Sequence, residues 1–281
     1  MANVLPRPKQ VAILRCLVEG NSIRSTERLV GVSRETVLSL LVRAGQGCQI
    51  LMDRLFVDLE CERIELDEVW AFVGKKQRHV HEMEDRAVVG DTWTFVAIDA
   101  ETKLIPCFRV GKRDAATTNA FVADLAGRLN GRPQITSDGL RFYIGAIDRA
   151  FGSEVDYGMV VKSYEADPIG PGRYSPPKVT EIEKTVITGD PEIEMMTTSH
   201  VERQNLTMRM QIRRMTRLTN AFSKKLENHI AATALHVAWY NLGRVHQSLR
   251  VTPAMEARVT DTVWSMDQIL DAALAELPRE N

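Results

Sequence analysis

The sequence has few features that would place it outside the cell or in a membrane. Its four cysteines are scattered, with no C-x-x-C pair, so neither a zinc ribbon nor a disulfide framework is indicated. No apolar run approaches the roughly 18 residues that a membrane helix needs. The first residues also lack the charged-then-apolar order of a signal peptide. We therefore expect a cytoplasmic protein with reduced thiols, no bound zinc and no membrane partner.

The chain also has almost no net charge, since 36 basic residues face 37 acidic ones. The charges are nevertheless unevenly distributed. Residues 1–46 carry seven basic and three acidic side chains, and residues 200–225 carry seven basic and one acidic. From residue 254 to the end, six acids face two arginines. Two basic regions in a neutral chain are typical of a protein that binds a polyanion, although a solvated helix face has a similar composition.

The N-terminal region, residues 1–48, reads as three short helices. Gly20 and Gly31 end the first two, and Ser33 is placed to cap the third. A helix, a short turn and a second helix form the helix-turn-helix arrangement, whose second helix enters the major groove of DNA. An ordinary helical bundle gives the same pattern. The outward arginines favour DNA, and the predicted contact residues are Arg34, Thr36, Ser39 and Arg43.

Residues 63–252 have a different character and follow a predicted helical linker at 49–62. Three β-branched and aromatic segments (63–74, 92–100 and 104–111) are followed by helix, strand, helix, strand and a long helical region at 199–249. We interpret residues 165–197 as an insertion or mobile loop and residues 253–281 as an acidic tail. The element order predicts an α/β catalytic domain with a ribonuclease H-like mixed sheet flanked by helices, preceded by an all-α helix-turn-helix domain. Several α/β folds share parts of this order.

Three acids fall at notable places on these elements. Asp67 lies within the first strand, Asp138 ends the fourth, and Glu202 opens the long helix. In a ribonuclease H-like sheet the first and fourth strands are neighbours and the last helix crosses them, so the three acids would converge. Carboxylates suit Mg²⁺, which prefers oxygen ligands, and two such ions stabilise the attacking and leaving oxygens in many nucleases. Glu68 is expected to point to the opposite face of the strand.

Each acid also has a simpler explanation. Asp67 suits an edge strand, although its apolar neighbours make a bare charge costly there. The segment "SDG" around Asp138 suits a turn. Ser199 and Glu202 fit the capping box S-x-x-E. The joint occurrence of all three at these positions favours a single site.

Three segments carry a resemblance to a known family. "LDEVWAFVGKK", "TSDG" and, above all, "SHVERQNLTMRMQIRRMTRLTNAFSKKLENH" resemble the transposases of the insertion-sequence-one family. The resemblance runs from the helix-turn-helix to "YNLGRVHQSLRVTPAM" and covers most of the chain. It implies a DDE transposase using two Mg²⁺ or Mn²⁺ ions, with Asp67, Asp138 and Glu202 as metal-binding catalytic residues. Members often carry an N-terminal zinc ribbon, for which this chain has no paired cysteines.

The resemblance also implies a partner and a mechanism. The protein would bind the terminal inverted repeats of a transposon, and target DNA, as a multimer in the bacterial nucleoid. Hydrolysis of one strand would free a 3′-hydroxyl, which then attacks the target. The basic helix would follow the phosphate backbone, and its predicted DNA-binding residues are Arg203, Asn205, Arg209, Arg213, Arg214, Arg217, Lys224 and Lys225.

Two other functions are compatible with the sequence. One is a domesticated, non-catalytic regulator that keeps the helix-turn-helix, which the complete set of acids disfavours. The other is a ribonuclease H-like nuclease or resolvase that cuts DNA without joining it. Inverted repeats flanking the reading frame would distinguish a transposase from both.

Overall fold

The computed structural model of the chain describes residues 5–165, 179–216 and 219–278. Residues 166–178 of the predicted loop, and the predicted DNA-binding residue Arg217, lie outside these ranges. The described residues form a mixed α/β structure in which helices flank a six-stranded mixed sheet. No helix within these ranges is both long and apolar enough to cross a bilayer.

The elements follow the predicted order through the strand that ends at Tyr164, with the short strands Leu59–Glu60 and Leu129–Asn130 added, and depart from it afterwards. The helices are α1 (Arg7–Val18), α2 (Ile23–Val30), α3 (Arg34–Leu55), α4 (Ala115–Ala126), α5 (Phe142–Phe151), α6 (Ser199–Gln211), α7 (Leu226–Ala238), α8 (Pro253–Glu256) and α9 (Met266–Ala275). The strands are β1 (Leu59–Glu60), β2 (Arg63–Val73), β3 (Gly90–Asp99), β4 (Phe108–Gly111), β5 (Leu129–Asn130), β6 (Gln134–Ser137), β7 (Asp156–Tyr164) and β8 (Val179–Thr188).

The sheet has the strand order β4-β3-β2-β6-β7-β8. Strands β4, β3 and β2 pair antiparallel, whereas β2, β6 and β7 run parallel. These five strands have the order and directions of a ribonuclease H-like sheet, as predicted. The first and fourth predicted strands are therefore neighbours, as expected, since β2 pairs with β6. Helix α6 packs against β2.

Helices α1 to α3 form where the sequence predicted three helices, and local signals set their ends. The Ser22 and Ser33 side chains accept hydrogen bonds from the first turns of α2 and α3. Gly31 ends α2 in the left-handed conformation at φ 66°, which glycine adopts without strain. The use of these helices to read DNA stays a prediction.

Helix α3 runs without a break across residue 48, where the sequence analysis places a domain boundary. Its second half includes residues 49–55 of the predicted linker and packs between α7 and α9. Gly45 lies against Ala231, and Gly47 lies against Ala273, so closely that a Cβ atom would come within 2.4 Å and 2.1 Å of their carbonyl oxygens. Each glycine costs the helix about 0.5–1 kcal/mol relative to alanine, but the close packing requires it.

A single hydrophobic core includes side chains from α1, α3, the sheet, α7 and α9. The predicted acidic tail is therefore not free along its described length. Met266, Ile269, Leu270 and Ala273 of α9 are buried, and the acids Asp267 and Asp271 of the same helix pair with Arg7 of α1. The tail prediction missed this helix because it weighed net charge rather than apolar spacing.

Two further predictions for the second half of the chain need correction. The segment 165–197 is not wholly a loop, because β8 pairs antiparallel with β7 over its length. The helical region 199–249 is not continuous either. Helix α6 ends at Gln211, a 3-10 turn spans Arg213–Met215, and α7 begins at Leu226. Arg209 and Arg213 therefore do not share the face of one long helix.

The start of α6 is held by a carboxylate from β2 rather than by its own side chains. Glu65 is 2% exposed, and its Oε2 accepts the backbone N–H groups of His200 and Val201 at 2.8 and 2.9 Å. Its Oε1 lies 2.6 Å from His200 Nδ1. A carboxylate at a helix N-terminus satisfies unpaired N–H groups and interacts favourably with the helix dipole. The predicted Ser199–Glu202 capping box is thus replaced by a tertiary contact.

We expect Glu65→Gln to lower the free energy of unfolding by about 1–3 kcal/mol, because the amide removes the charge and leaves a buried N–H group poorly satisfied. The measurement is urea denaturation, with the exposed β2-proximal Glu60→Gln as the matched control. Equal stability of the two variants would contradict this role for Glu65.

Candidate active site

Three carboxylates meet where β6 ends beside β2. Leu66 and Ser137 form the last register pair of these strands, so Asp67 and Asp138 follow side by side. Asp67, Glu68 and Asp138 each offer an oxygen atom, and these atoms all lie within 4.8 Å of one another. The structure thus brings together two of the three predicted catalytic residues, whose catalytic role stays a prediction.

Glu68 is the member of this cluster that the sequence analysis missed. Strand alternation predicted that Glu68 points away from Asp67. The carboxylate oxygens of the two residues nevertheless lie within 4.8 Å of each other. Pairing with β6 stops at Leu66, so β2 has an open edge there and side chains from both faces reach around it. Asp67 turns back onto its own strand, where its Oδ1 accepts the backbone N–H of Glu68 at 2.8 Å. Two adjacent acids among apolar neighbours in β2 were the available signal.

The cluster is electrostatically unfavourable without a counter-ion. Burial, followed by repulsion from Asp138, raises the pKa of Asp67 to about 6 and that of Glu68 to about 7. Burial also raises the pKa of Asp138. Arg113 partly compensates, with its Nη2 3.1 Å from Glu68 Oε2 and 3.6 Å from Asp138 Oδ2.

Glu202 lies near this cluster but outside the group of three. It sits in the first turn of α6, and its negative charge contributes to the raised pKa values of Asp67 and Asp138. Its Oε1 accepts hydrogen bonds from Lys162 Nζ at 2.5 Å and from the Thr198 hydroxyl at 2.7 Å. The third predicted acid is therefore held by a lysine of β7, and its side chain is 44% exposed.

The residues present fit a hard divalent cation. All three clustered side chains provide carboxylate oxygens, which Mg²⁺ and Mn²⁺ prefer. Their raised pKa values indicate charge repulsion that a cation would relieve. Arg113 already places positive charge against Glu68 and Asp138, and Lys162 does so against the neighbouring Glu202.

Asn205 has a different role from the predicted contact with DNA. It is 2% exposed, and its Nδ2 donates to Asp67 Oδ2 at 2.8 Å. The residue lies one turn after Glu202 on the α6 face that packs on the sheet, so it orients Asp67 instead of reaching a ligand in solvent. Its proximity in sequence to Glu202 and the arginines had suggested a contact with DNA. Its position on the helix instead turns the side chain toward the sheet and buries it.

The other predicted DNA-binding residues lie on two surfaces. Arg34, Ser39 and Arg43 are exposed along the first half of α3, and Thr36 is half-buried there. On the second surface Arg203, Lys224 and Lys225 are exposed, whereas Arg209, Arg213 and Arg214 are half-buried. Their contact with DNA stays a prediction.

Comparisons with known proteins give little beyond this geometry. No protein-family model and no curated protein sequence matches the chain. Among solved structures, similarity is found to a Mos1 transposase paired-end complex with left transposon end (14% identity, 53% of this chain and 58% of that chain, TM-score 0.21). It is also found to the Mos1 strand transfer complex (16%, 55% and 59%, TM-score 0.23) and to a pre-cleavage Mos1 transpososome (12%, 56% and 60%, TM-score 0.21).

The chain thus spans less than two thirds of the length of these structures. With TM-scores this low, the likenesses carry no inference about this protein. Its function has to be argued from its own residues.

The raised pKa values predict how metal and pH act on stability. Between about pH 4 and pH 7 the folded protein keeps protons on Asp67 and Glu68 that the unfolded chain releases, so metal-free stability falls as pH rises through this window. Mg²⁺ or Mn²⁺ should therefore raise the Tm strongly at pH 7.5 and much less at pH 5. Thermal melts at both pH values, with and without EDTA, measure this difference.

The variant Asp138→Asn tests whether this cluster is the metal site. It removes one repelling charge, so it should raise the metal-free Tm by about 2–4 °C, as expected for roughly 1 kcal/mol in a chain of this size, and abolish the increase on metal addition. Asp148→Asn, an exposed aspartate of α5, is the matched control. An undiminished metal effect in Asp138→Asn would rule out this cluster as the metal site.

Lys162→Met should strengthen metal binding, because Glu202 would no longer be paired with an ammonium group. We expect the Mn²⁺ concentration at half-maximal Tm increase to fall by about tenfold, equivalent to roughly 1.4 kcal/mol. Lys184→Met, on the exposed strand β8, controls for loss of a lysine. A weaker metal response in Lys162→Met would show that the ion pair supports the site instead of competing with the metal.

Proposed function

We propose that this protein is a metal-dependent DNA transposase of the DDE type. The observation that carries the proposal is the convergence of Asp67, Glu68 and Asp138 at the open β2 edge, with Glu202 opening the helix that crosses it. Arg113 offsets part of the charge of these three carboxylates, but one guanidinium group does not balance three acids at the end of two parallel strands. They suit a site that holds divalent cations beside a phosphodiester.

In this proposal Asp67, Asp138 and Glu202 are the catalytic acids, and Glu68 is an additional metal ligand. Bound Mg²⁺ or Mn²⁺ ions would supply charge stabilisation for the attacking and leaving oxygens of the phosphodiester. Asn205 keeps Asp67 in orientation, and Glu65 holds the start of α6 against β2. Arg113 and Lys162 lie beside the acids and provide positive charge near the position of a negatively charged phosphate.

The proposed reaction has two steps. Water hydrolyses one strand at the end of the element and leaves a 3′-hydroxyl. That hydroxyl then attacks a phosphodiester of the target DNA and displaces a second 3′-oxygen. Membership of the insertion-sequence-one family, and the use of two metal ions per site, belong to this proposal and rest on the sequence resemblance.

DNA binding in this proposal uses both basic surfaces. The exposed face of α3 around Arg34, Ser39 and Arg43 would read the inverted repeats as the second helix of a helix-turn-helix. Arg203, Lys224 and Lys225 would follow the backbone. At least two copies would act together, because a transposon has two ends to be joined.

The decisive experiment measures strand nicking and joining on a plasmid that carries the reading frame with its native flanks. Wild-type protein with Mg²⁺ or Mn²⁺ should nick at the flanks and join them to target DNA. Asp67→Asn, Asp138→Asn and Glu202→Gln should each reduce both steps by at least about 100-fold, because each removes charge on which the transition state depends. DNA affinity, measured by gel shift, should be unchanged.

The outcomes separate the proposal from its alternatives. Asp148→Asn should behave as wild type and controls for the amide change. Nicking without joining would identify a nuclease or resolvase. Specific binding to the flanks without nicking, by soluble wild-type protein, would identify a regulator. Full activity of Asp138→Asn would remove that residue from the catalytic site.

A further inference from the structure

A cavity of about 900 Å³ lies on the opposite end of α6 from the carboxylates. Helices α1, α2 and α3 form one wall, and residues 212–214 and 219–224 together with α7 form the other. Its size falls within the range of about 300–1,000 Å³ typical of small-molecule and cofactor sites. The transposase proposal makes no use of this cavity as a site.

The cavity brings together basic residues that are far apart in the sequence. Arg24 and Arg34 come from the first wall, and Arg213, Arg214 and Lys224 come from the second. Among the described residues that line it, Glu35 is the one acid. This charge balance favours an anionic ligand.

The guanidinium group of Arg214 is only partly hydrogen-bonded. Its Nη1 donates to the Ser223 hydroxyl at 3.2 Å, but its Nη2 is buried and has no hydrogen-bond partner among the described residues. No carboxylate in those ranges lies within ion-pair distance of it, and burial lowers its pKa to about 10. A half-buried guanidinium whose Nη2 is buried with no anion beside it destabilises a fold, so its presence here is better explained by a ligand that supplies the missing anion.

The cavity also has an aromatic side suited to a planar group. Phe222 lines it. Its ring packs against Phe72, with 4.7 Å between the ring centroids, and the Lys224 ammonium lies 4.1 Å from the Phe222 centroid. His236 is 1% exposed at the cavity wall, and neither of its ring nitrogens has a hydrogen-bond partner within the described ranges. An aromatic side chain and an imidazole with unpaired nitrogens, in a cavity that guanidinium groups also line, match a nucleotide, which combines a base with a phosphate.

We propose that this cavity binds one nucleotide of a DNA strand, with the phosphate on Arg214 and the base against Phe222 and His236. This inference rests on the proposed function and extends it to a second contact site on the same strand. Glu202 and Gln211 are nine residues apart on α6, or about 14 Å along the helix. That distance corresponds to about four nucleotides of a stacked strand, so a strand at the carboxylates would reach the cavity.

Fluorescence anisotropy of a labelled five-nucleotide thymidine oligomer, with full-length protein in EDTA, tests the site. We expect Arg214→Met to weaken binding by at least tenfold. The same variant should melt at a higher temperature than wild type, because it removes a half-buried charge with no anion beside it. Arg149→Met, an exposed arginine of α5, should bind as wild type. Unchanged binding by Arg214→Met would overturn the proposal.

A second variant and a mapping measurement do not depend on how Arg214→Met folds. Lys224→Met changes an exposed side chain and should weaken binding several-fold. Ultraviolet crosslinking of an oligomer with one 5-iodouracil should label the peptide that contains residues 219–224. Crosslinks confined to other regions would overturn the assignment.

Competitors distinguish the possible ligands. The unlabelled pentamer should displace the probe at far lower concentration than thymidine monophosphate or an acidic peptide of equal charge. Equal competition by the monophosphate would overturn the assignment to a DNA strand, and equal competition by the peptide would overturn the assignment to a nucleotide. Because no metal or cleavage is involved, this result is independent of the nicking assay.

Discussion

The contact between Glu65 and the first turn of α6 is the interaction on which the candidate site depends. A carboxylate buried in β2 accepts two backbone N–H groups of a helix that begins 134 residues later in the chain. Two residues further along β2, Asp67 receives the Asn205 amide one turn further along α6. These polar contacts fix both the position and the rotation of α6. They place Glu202 beside the carboxylates and leave it on the exposed side of the helix.

The acids themselves are brought together by the sheet. Parallel pairing of β2 and β6 ends where the charges begin, and the missing neighbour beyond Ser137 lets three carboxylates share one edge. Arg113 acts as an internal counter-ion for this edge, and Lys162 does the same for Glu202 beside it. These basic side chains offset part of a concentration of negative charge that β-branched neighbours alone would not stabilise.

Much of the fold could be predicted from the sequence, because periodicity and turn residues are local. The strands around Asp67 and Ser137 and the cap at Ser33 followed from such patterns, and the order of the elements then indicated which strands pair. The misses are tertiary. Strand alternation does not show that β2 loses its neighbour after Leu66, so the proximity of the Glu68 carboxylate to Asp67 and Asp138 was missed. The Ser199–Glu202 pattern satisfied a local capping rule, but a distant buried glutamate took over that role.

The basic region was misjudged for a similar reason. Charge counting identified residues 203–225 as a unit, whereas the helix phase buries Asn205 and the chain leaves the helix after Gln211. Arg214 then turns into a cavity, which no spacing of arginines indicates. Likewise, the acidic C-terminal segment concealed the apolar stripe of α9, because net charge does not show which side chains of a helix face the core.

The continuity of α3 has a mechanical consequence. A helix of 22 residues is about 33 Å long, and its second half is clamped by glycine contacts to α7 and α9. Its exposed N-terminal half cannot swing independently of the sheet, as a module on a flexible tether would. A molecule bound at Arg34 would therefore lie at a fixed distance from the carboxylates, and the length of α3 would set that distance.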